Sequence, residues 1–92
     1  MTQKTKAALI SVTGRVQGVG FRYYTQQKAA ELNISGFVQN KPNRSVYIEA
    51  EGEEENLKTF IDWCHLGPQR AMVTRVYTQH VPPMNQNGFV IK

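Results

Sequence analysis

The apolar positions in the first half of the chain change from a period of two to a helical period. In residues 8–14 they alternate with more polar positions, which predicts a strand with one buried face. Residues 21–32 contain neither Gly nor Pro and predict a first helix, which a glycine-rich segment precedes. Asn33 tolerates the left-handed conformation that closes a helix, so the helix should end there. The apolar positions are Ala8, Ile10 and Val12 in the strand, and Phe21, Ala29 and Leu32 in the helix, where Thr25 joins the same face.

A hairpin should follow this helix. Residues 36–40 and 45–52 read as two strands, and the residues between them, 41–44, form the turn. The second strand has small and aliphatic residues on one face, and we expect its other face to be open to solvent. The inward positions are Val46, Ile48 and Ala50, and the outward ones are Tyr47, Glu49 and Glu51.

The second half of the chain predicts another helix and two more strands. Residues 53–55 are all glutamate, which complements the positive end of a helix dipole. Apolar residues at helical spacing follow, until Gly67 and Pro68 end the helix. Residues 71–80 predict a strand, and residues 88–92 predict a short last one. The apolar stripe of this helix consists of Leu57, Phe60, Ile61 and Cys64.

The order of these elements predicts the fold class. Strand, helix, strand, strand, helix, strand is the split βαβ or ferredoxin-like arrangement, an α+β fold with two helices on one face of a mostly antiparallel sheet. The 92 residues contain no repeat or linker, so we expect a single domain over residues 1–92, with residues 1–6 as a flexible tail.

Composition excludes several classes of protein. No apolar run approaches the roughly 20 residues of a membrane span, and the first residues lack the apolar block of a signal peptide, so we expect a cytoplasmic protein without a membrane partner. A single cysteine, Cys64, cannot close an intrachain disulfide. Together with the only two histidines, His65 and His80, it offers no zinc-ligand spacing. We therefore predict neither a disulfide scaffold nor a metal site.

Charge favours a small anion as ligand. Eleven Lys and Arg against seven Asp and Glu give a net charge of +4. Arg15, Arg22, Lys41 and Arg44 lie in two segments that contain little acid. Such local enrichment suits a phosphate-sized anion better than a long polyanion, which needs a continuous basic track.

The best candidate for a functional site is the segment of residues 14–22, at the transition from the first strand to the first helix. Its three glycines allow successive backbone N–H groups to point into one concavity, and the positive end of the helix dipole points the same way. Arg22 adds a planar fork that matches two phosphate oxygens. The spacing fits neither the dinucleotide fingerprint nor a Walker loop. The alternative is a tight turn in which the glycines serve only packing.

Further residues extend this segment into a pattern that resembles one family across nearly the whole chain. The chain is similar to acylphosphatases, which implies a ferredoxin-like enzyme that hydrolyses carboxyl phosphates to a carboxylate and inorganic phosphate without a metal or other cofactor. The resemblance rests on Val12, Gly14, Val16, Gln17, Gly18, Val19, Gly20, Phe21 and Arg22, then on Thr25, Ala29, Leu32, Gly36, Phe37, Val38, Asn40, Glu51, Gly52, Gly67 and Pro68.

The resemblance also implies roles for individual residues. Arg22 matches the arginine that binds phosphate, and Asn40 matches the asparagine that orients the attacking water. The backbone amides of Gln17, Gly18, Val19, Gly20 and Phe21 would hold the phosphoryl group. Small acyl phosphates would then be the substrates and inorganic phosphate both product and inhibitor, and we expect a monomer that binds no nucleic acid.

Three residues, at two places in the chain, depart from the family pattern. Asn33 stands where glycine is common, and Asn43 and Arg44 stand where Asp-Gly is common in the turn. Arg44 would be strained if the turn kept a positive φ, so we expect a shifted turn. Asn40 is near this turn in sequence, so substrate preference is the property that the departure affects.

Other readings of the same residues stay open at this stage. An RNA-binding module shares this element order, but its third strand needs a basic and aromatic run. Here the third strand offers one aromatic residue, Tyr47, and two carboxylates, Glu49 and Glu51, to the open face. A non-catalytic anion-binding domain would keep the loop, and only Asn40 argues against it. Cys64 belongs to an apolar stripe and should be a buried thiol, while His65 and His80 lie at the ends of elements.

Overall fold

The computed structural model describes residues 4–92, which form two helices and five strands. With 11 and 13 residues, neither helix in this part of the chain is long and apolar enough to cross a membrane. The elements are β1 Thr5–Arg15, α1 Phe21–Glu31, β2 Ser35–Asn40, β3 Val46–Glu53, α2 Glu54–Leu66, β4 Met72–Val81 and β5 Phe89–Ile91.

All five strands belong to one mixed sheet in the order β4-β1-β3-β2-β5. The central strand β1 pairs antiparallel with both β3 and β4, and β2 pairs antiparallel with β3. Only the short β5 runs parallel to its neighbour, β2. This confirms the predicted ferredoxin-like fold, including its short fifth strand.

Both helices pack their predicted apolar stripes onto the same face of the sheet. Full burial of one large apolar side chain contributes roughly 1.5–3 kcal/mol. Phe60, with none of its surface exposed, is among the largest of these side chains. The buried positions are Phe21, Thr25 and Ala29 of α1, Leu57, Phe60 and Cys64 of α2, and Ile10, Val12, Val38, Val46 and Ile48 of the sheet.

The first strand is longer than its alternating pattern predicted. Thr5 pairs with Glu53 and Lys6 with Gly52, so these two residues belong to the sheet and not to a flexible tail. The remaining part of the expected tail, residues 1–3, lies outside the described residues. Polar side chains at an exposed strand end gave no alternation signal, whereas pairing with a neighbouring strand extends β1 to Thr5.

The turn between β2 and β3 does not shift as expected. Arg44 has φ 73°, so it occupies the left-handed region in which glycine is common. Hydrogen bonds impose this conformation: the amide of Arg44 donates to the carbonyl of Lys41 at 3.0 Å, and that of Lys41 donates to the carbonyl of Ser45 at 2.9 Å. The side chain of Asn43 accepts from the amide and hydroxyl of Ser45 at 3.1 and 2.6 Å. By contrast, Asn33 has φ 55°, which confirms the predicted left-handed helix end.

The outer face of β3 is only partly open. Tyr47 donates a hydrogen bond to Glu49 at 2.9 Å. The pKa of Tyr47 is raised to about 12, mainly by burial and to a smaller extent by the Glu49 carboxylate. Glu51 is only 6% exposed, because its carboxylate accepts hydrogen bonds from the amides of Met84 and Asn85 at 2.8 and 3.0 Å. The prediction of an open position was therefore wrong for Glu51: the segment between β4 and β5 covers it.

Candidate active site

Two glycines shape the loop that leads into α1. Gly18 and Gly20 have φ 75° and 80°, a conformation that side chains rarely adopt. Gly20 is the N-cap of α1, and its carbonyl accepts a hydrogen bond from the amide of Tyr24 at 3.0 Å. No side chain in the described part of the chain caps the helix, and its first turn contains no acidic residue. The first amides of α1 therefore suit an external anion.

One pocket of about 240 Å³ unites the loop with both residues to which the resemblance assigned the chemistry. Arg22 follows the loop in α1, and Asn40 is the last residue of β2, yet both line this pocket. Val19 does not line it and borders a different depression, beside Tyr24 and Trp63. The remaining lining residues are Val16, Gln17, Gly18, Gly20, Phe21, Tyr23 and Ile91.

Arg22 is held by a contact that no local sequence signal indicates. Its Nη1 donates to the backbone carbonyl of Lys92 at 3.0 Å, and the side chain is half-buried. This contact restrains the guanidinium at the edge of the pocket, next to Ile91. Residues 70 positions apart in sequence meet here because β5 pairs with β2 beside α1.

Gln17 ties the loop to the β2–β3 turn. Its Nε2 donates to the carbonyls of Lys41 and Ser45, each at 2.9 Å. Asn40 immediately precedes Lys41, so the carboxamide of Gln17 connects the loop to the segment that carries Asn40. The sequence placed Gln17 among the phosphate-binding backbone but did not indicate this role for its side chain.

Asn40 has a carboxamide suited to binding water. The residue pairs with Val46 at the end of β2 and is half-buried. Among residues 4–92, none makes a hydrogen bond to this side chain within 3.5 Å. Its carbonyl oxygen can accept and its NH₂ can donate, as orienting a water molecule requires.

The four basic residues singled out in the sequence do not converge on one ligand. Arg22 lines the pocket described above, while Arg15 and Arg44 line a neighbouring depression. Lys41 points elsewhere, with Nζ 4.8 Å from the ring centroid of Tyr47. The tertiary structure thus assigns one of the four arginine and lysine side chains to the pocket.

The other candidate nucleophile and bases lie outside this pocket. Cys64 is fully buried on the inner face of α2, and burial raises the pKa of its thiol to about 12, so it is a structural residue as predicted. His65 lies in the last turn of α2 with Nδ1 3.0 Å from the carbonyl oxygen of Ile61, and His80 is exposed on β4.

A larger depression of about 610 Å³ lies between α2 and the far ends of β1 and β4. Residues of both charges line it, namely Lys6, Lys58, Glu54 and Asp62. This mixed lining does not favour an anion. The smaller pocket, with Arg22 and the helix N-terminus, matches a phosphoryl group better despite its size.

Comparison with known proteins points to one family. The sequence profile described as Acylphosphatase matches residues 8–91. An acylphosphatase of Thermotoga petrophila is 44% identical over 87 residues, which cover 95% of this chain and 97% of that protein. An acylphosphatase of Marinobacter nauticus is 51% identical over 71 residues, 77% of each chain. The crystal structure of acylphosphatase from Bacillus subtilis superposes with a TM-score of 0.92 at 34% identity and covers 95% of this chain and 98% of that one.

Proposed function

The chain belongs to the acylphosphatase family and hydrolyses acyl phosphates, and from that premise we propose that Arg22, Asn40 and the loop of residues 17–21 carry out the reaction. The observation that supports this assignment is the single pocket in which Arg22, Asn40 and most of the loop meet. Both the phosphoryl group and the water that attacks it would be held there.

The phosphoryl group binds at the start of α1. Backbone amides of the loop and first turn donate to its oxygens, and the helix dipole adds favourable potential. Arg22 contributes two parallel N–H donors, and its contact with the carbonyl of Lys92 restrains the fork before substrate arrives. These donors offset negative charge on the phosphoryl oxygens as the bond to the leaving group lengthens.

The leaving group requires no proton from the protein. A carboxylic acid has a pKa of about 4, so the carboxylate departs as an anion at neutral pH. This explains why a pocket that contains Arg22 and Asn40, and no Asp, Glu or His among residues 4–92, can suffice. For the same reason we propose that the reaction needs no metal ion.

Asn40 holds the attacking water. Its carbonyl oxygen accepts a hydrogen bond from the water and directs a lone pair of the water toward phosphorus, in line with the departing carboxylate. Gln17 keeps the turn next to Asn40 attached to the loop, so the water and the phosphoryl group keep a defined separation. The substrate's own phosphoryl oxygens are the proposed acceptor of the proton that the water loses.

The wider expectations follow from this assignment and stay predictions. The substrates are small acyl phosphates, and inorganic phosphate is a product that competes for the same cradle. We propose a single domain over residues 1–92 that acts as a cytoplasmic monomer and binds no nucleic acid.

Hydrolysis of benzoyl phosphate in water labelled with heavy oxygen tests the mechanism. Attack at phosphorus places the label in inorganic phosphate, whereas attack at the carbonyl carbon places it in benzoate. We expect label in phosphate only, after correction for the uncatalysed reaction. Label in benzoate would contradict the proposed positions of the phosphoryl group and Asn40.

Exhaustive chelation tests independence from metals. We expect the rate of phosphate release to be unchanged after dialysis against a chelator, because no step needs a Lewis acid. Loss of activity that a single divalent ion restores would overturn this part of the mechanism.

A further inference from the structure

A second depression adjoins the phosphate pocket on the other side of the loop. It has a volume of about 600 Å³ and is lined by Arg15, Gln17, Gly18 and Arg44, together with Gly14 and Val16. Val16, Gln17 and Gly18 line both spaces, so the two depressions adjoin along the loop. A substrate whose phosphoryl group binds at the start of α1 can therefore extend its acyl portion into this depression.

Charge in the second depression is unbalanced. Among residues 4–92, Arg15 and Arg44 line it and no acidic residue does. Within residues 4–92 the one ion pair between side chains is Lys28–Glu31, so no side-chain carboxylate neutralises either arginine. Two cations that share an opening repel one another, and an anion bound between them relieves that repulsion.

Arg44 is exposed to solvent although its backbone adopts a conformation that is unfavourable for arginine. Hydrogen bonds of the turn hold it at φ 73°, where glycine would avoid steric conflict with Cβ. Nothing in the packing of the exposed side chain explains an arginine at this position. A ligand that uses the guanidinium would explain it.

We propose that Arg15 and Arg44 form a subsite for a second anionic group, so that the enzyme prefers acyl phosphates whose acyl portion itself carries a carboxylate. We call this depression the Arg15–Arg44 subsite. The inference rests on the proposed function, because it places the phosphoryl group of the substrate at Arg22 and the loop.

Two isosteric substrates isolate the charge. In 4-carboxybenzoyl phosphate and 4-carbamoylbenzoyl phosphate the ring substituents have nearly the same shape, and only the first is ionised. The para position is too far from the acyl carbon for internal cyclisation. At low ionic strength we expect kcat/KM to be about five- to tenfold higher for the carboxy compound, since each exposed charge pair contributes at most about fivefold. Added salt should lower this ratio.

Variants locate the source of the preference. Arg44→Gly, which suits the left-handed backbone, and Arg15→Gln should each reduce the ratio, and the double variant should bring it close to one. Lys58→Gln removes one positive charge at the opposite end of β1 and should leave the ratio unchanged. A ratio near one in the wild-type protein, or a ratio that the double variant retains, would overturn the subsite.

The same assay separates this inference from the proposed function. Arg22→Ala should lower hydrolysis of both compounds by a similar factor, because both place a phosphoryl group at Arg22. If Arg22→Ala is inactive while the wild-type ratio is near one, the phosphate site stands and the Arg15–Arg44 subsite is wrong. If Arg22→Ala keeps full activity, the proposed function fails whatever the ratio is.

Discussion

The two helices of this protein begin in opposite electrostatic surroundings. At the start of α1, Gly20 has no capping side chain, and the first turn has Arg22 and no acid. At the start of α2, Glu53 is the N-cap, and Glu54 and Glu55 occupy the first turn. Both ends present backbone N–H groups and the positive end of a dipole.

This difference shows how the same backbone feature serves structure in one helix and function in the other. The carboxylates of α2 complement its dipole from within the chain, and each such charge contributes about 0.3–1 kcal/mol to stability. The start of α1 forgoes that contribution and leaves its amides for the phosphoryl group of a substrate. Stability and binding compete at a helix N-terminus, and the side chains decide which prevails.

Among the changes that test this difference between the two helices, removal of Arg22 should have the largest effect on activity and on phosphate binding. Arg22→Ala forfeits two charge-assisted hydrogen bonds of about 1.5–3 kcal/mol each, so kcat/KM should fall by about 10² or more. Affinity for inorganic phosphate should fall with it, because the guanidinium binds the anion in ground and transition states alike. Arg22→Lys should also be poor, since a point charge cannot reproduce the planar fork. Unchanged inhibition by phosphate in folded Arg22→Ala would mean that α1 does not begin at the anion site.

Asn40→Ala should separate catalysis from anion binding. We expect kcat to fall by about 10², by analogy with the loss of one preorganised polar group, while inhibition by phosphate stays close to wild type. Gln39→Ala, one residue earlier in β2, is the matched control and should retain kcat. Wild-type turnover in Asn40→Ala would refute the proposed role in water orientation.

A change in α2 should affect stability without affecting turnover. Cys64→Ser buries a hydroxyl among apolar side chains and should lower the free energy of unfolding by about 1–3 kcal/mol. Urea unfolding measures this loss, and phosphate release per folded molecule should be intact. Alkylation of wild-type Cys64 should be slow in the folded state, because the thiol is buried and its pKa is about 12. A folded, inactive Cys64→Ser protein would make the thiol part of the mechanism.

An acidic residue placed in the first turn of α1 should make that end resemble α2. Tyr23 lies in this turn and lines the pocket, so Tyr23→Glu adds a carboxylate where the phosphate binds. We expect the inhibition constant of phosphate to rise about fivefold relative to Tyr23→Gln, while the free energy of unfolding rises by about 0.5 kcal/mol. Equal inhibition constants for the two variants would show that the start of α1 is electrostatically indifferent to its ligand.

Arg44→Gly should show the smallest effect. Relief of the left-handed conformation stabilises the folded state by about 1–2 kcal/mol, and the greater freedom of glycine in the unfolded chain removes about 1 kcal/mol of this gain. The net rise in the free energy of unfolding should therefore be at most about 1 kcal/mol, measured by thermal or urea unfolding. A loss of stability would mean that Arg44 makes a stabilising contact. In that case Arg44 would stabilise the turn, whereas the side chains at the start of α1 leave its amides free for a ligand at a cost in stability.

The comparison also shows what sequence patterns could predict. Both helices were found because their apolar residues repeat at a helical period, and the loop was found because its glycines and Arg22 are adjacent in the chain. These signals extend over a few residues only. The bounds of β1 and the coverage of Glu51 were missed, since they depend on Glu53, Met84 and Asn85, which are distant in sequence.

The prediction of a shifted turn at Arg44 was wrong for a related reason. The prediction rested on the intrinsic preference of arginine, which disfavours positive φ. In the structure, the hydrogen bonds between Lys41 and Ser45 and the side-chain contacts of Asn43 outweigh that preference. Intrinsic preferences of about 1–2 kcal/mol yield to several hydrogen bonds that act together.

The sequence by itself determined the order of elements, the buried stripes, the glycine loop and the family resemblance, because each is written in neighbouring residues or in a repeated spacing. Only the tertiary structure decided that Asn40 shares a pocket with Arg22 and that the carbonyl of Lys92 restrains Arg22. It alone also separated Arg15 and Arg44 from the phosphate pocket. Contacts between residues that are distant in sequence depend on strand order and register, which arise from the packing of the whole sheet and not from any single segment of the chain.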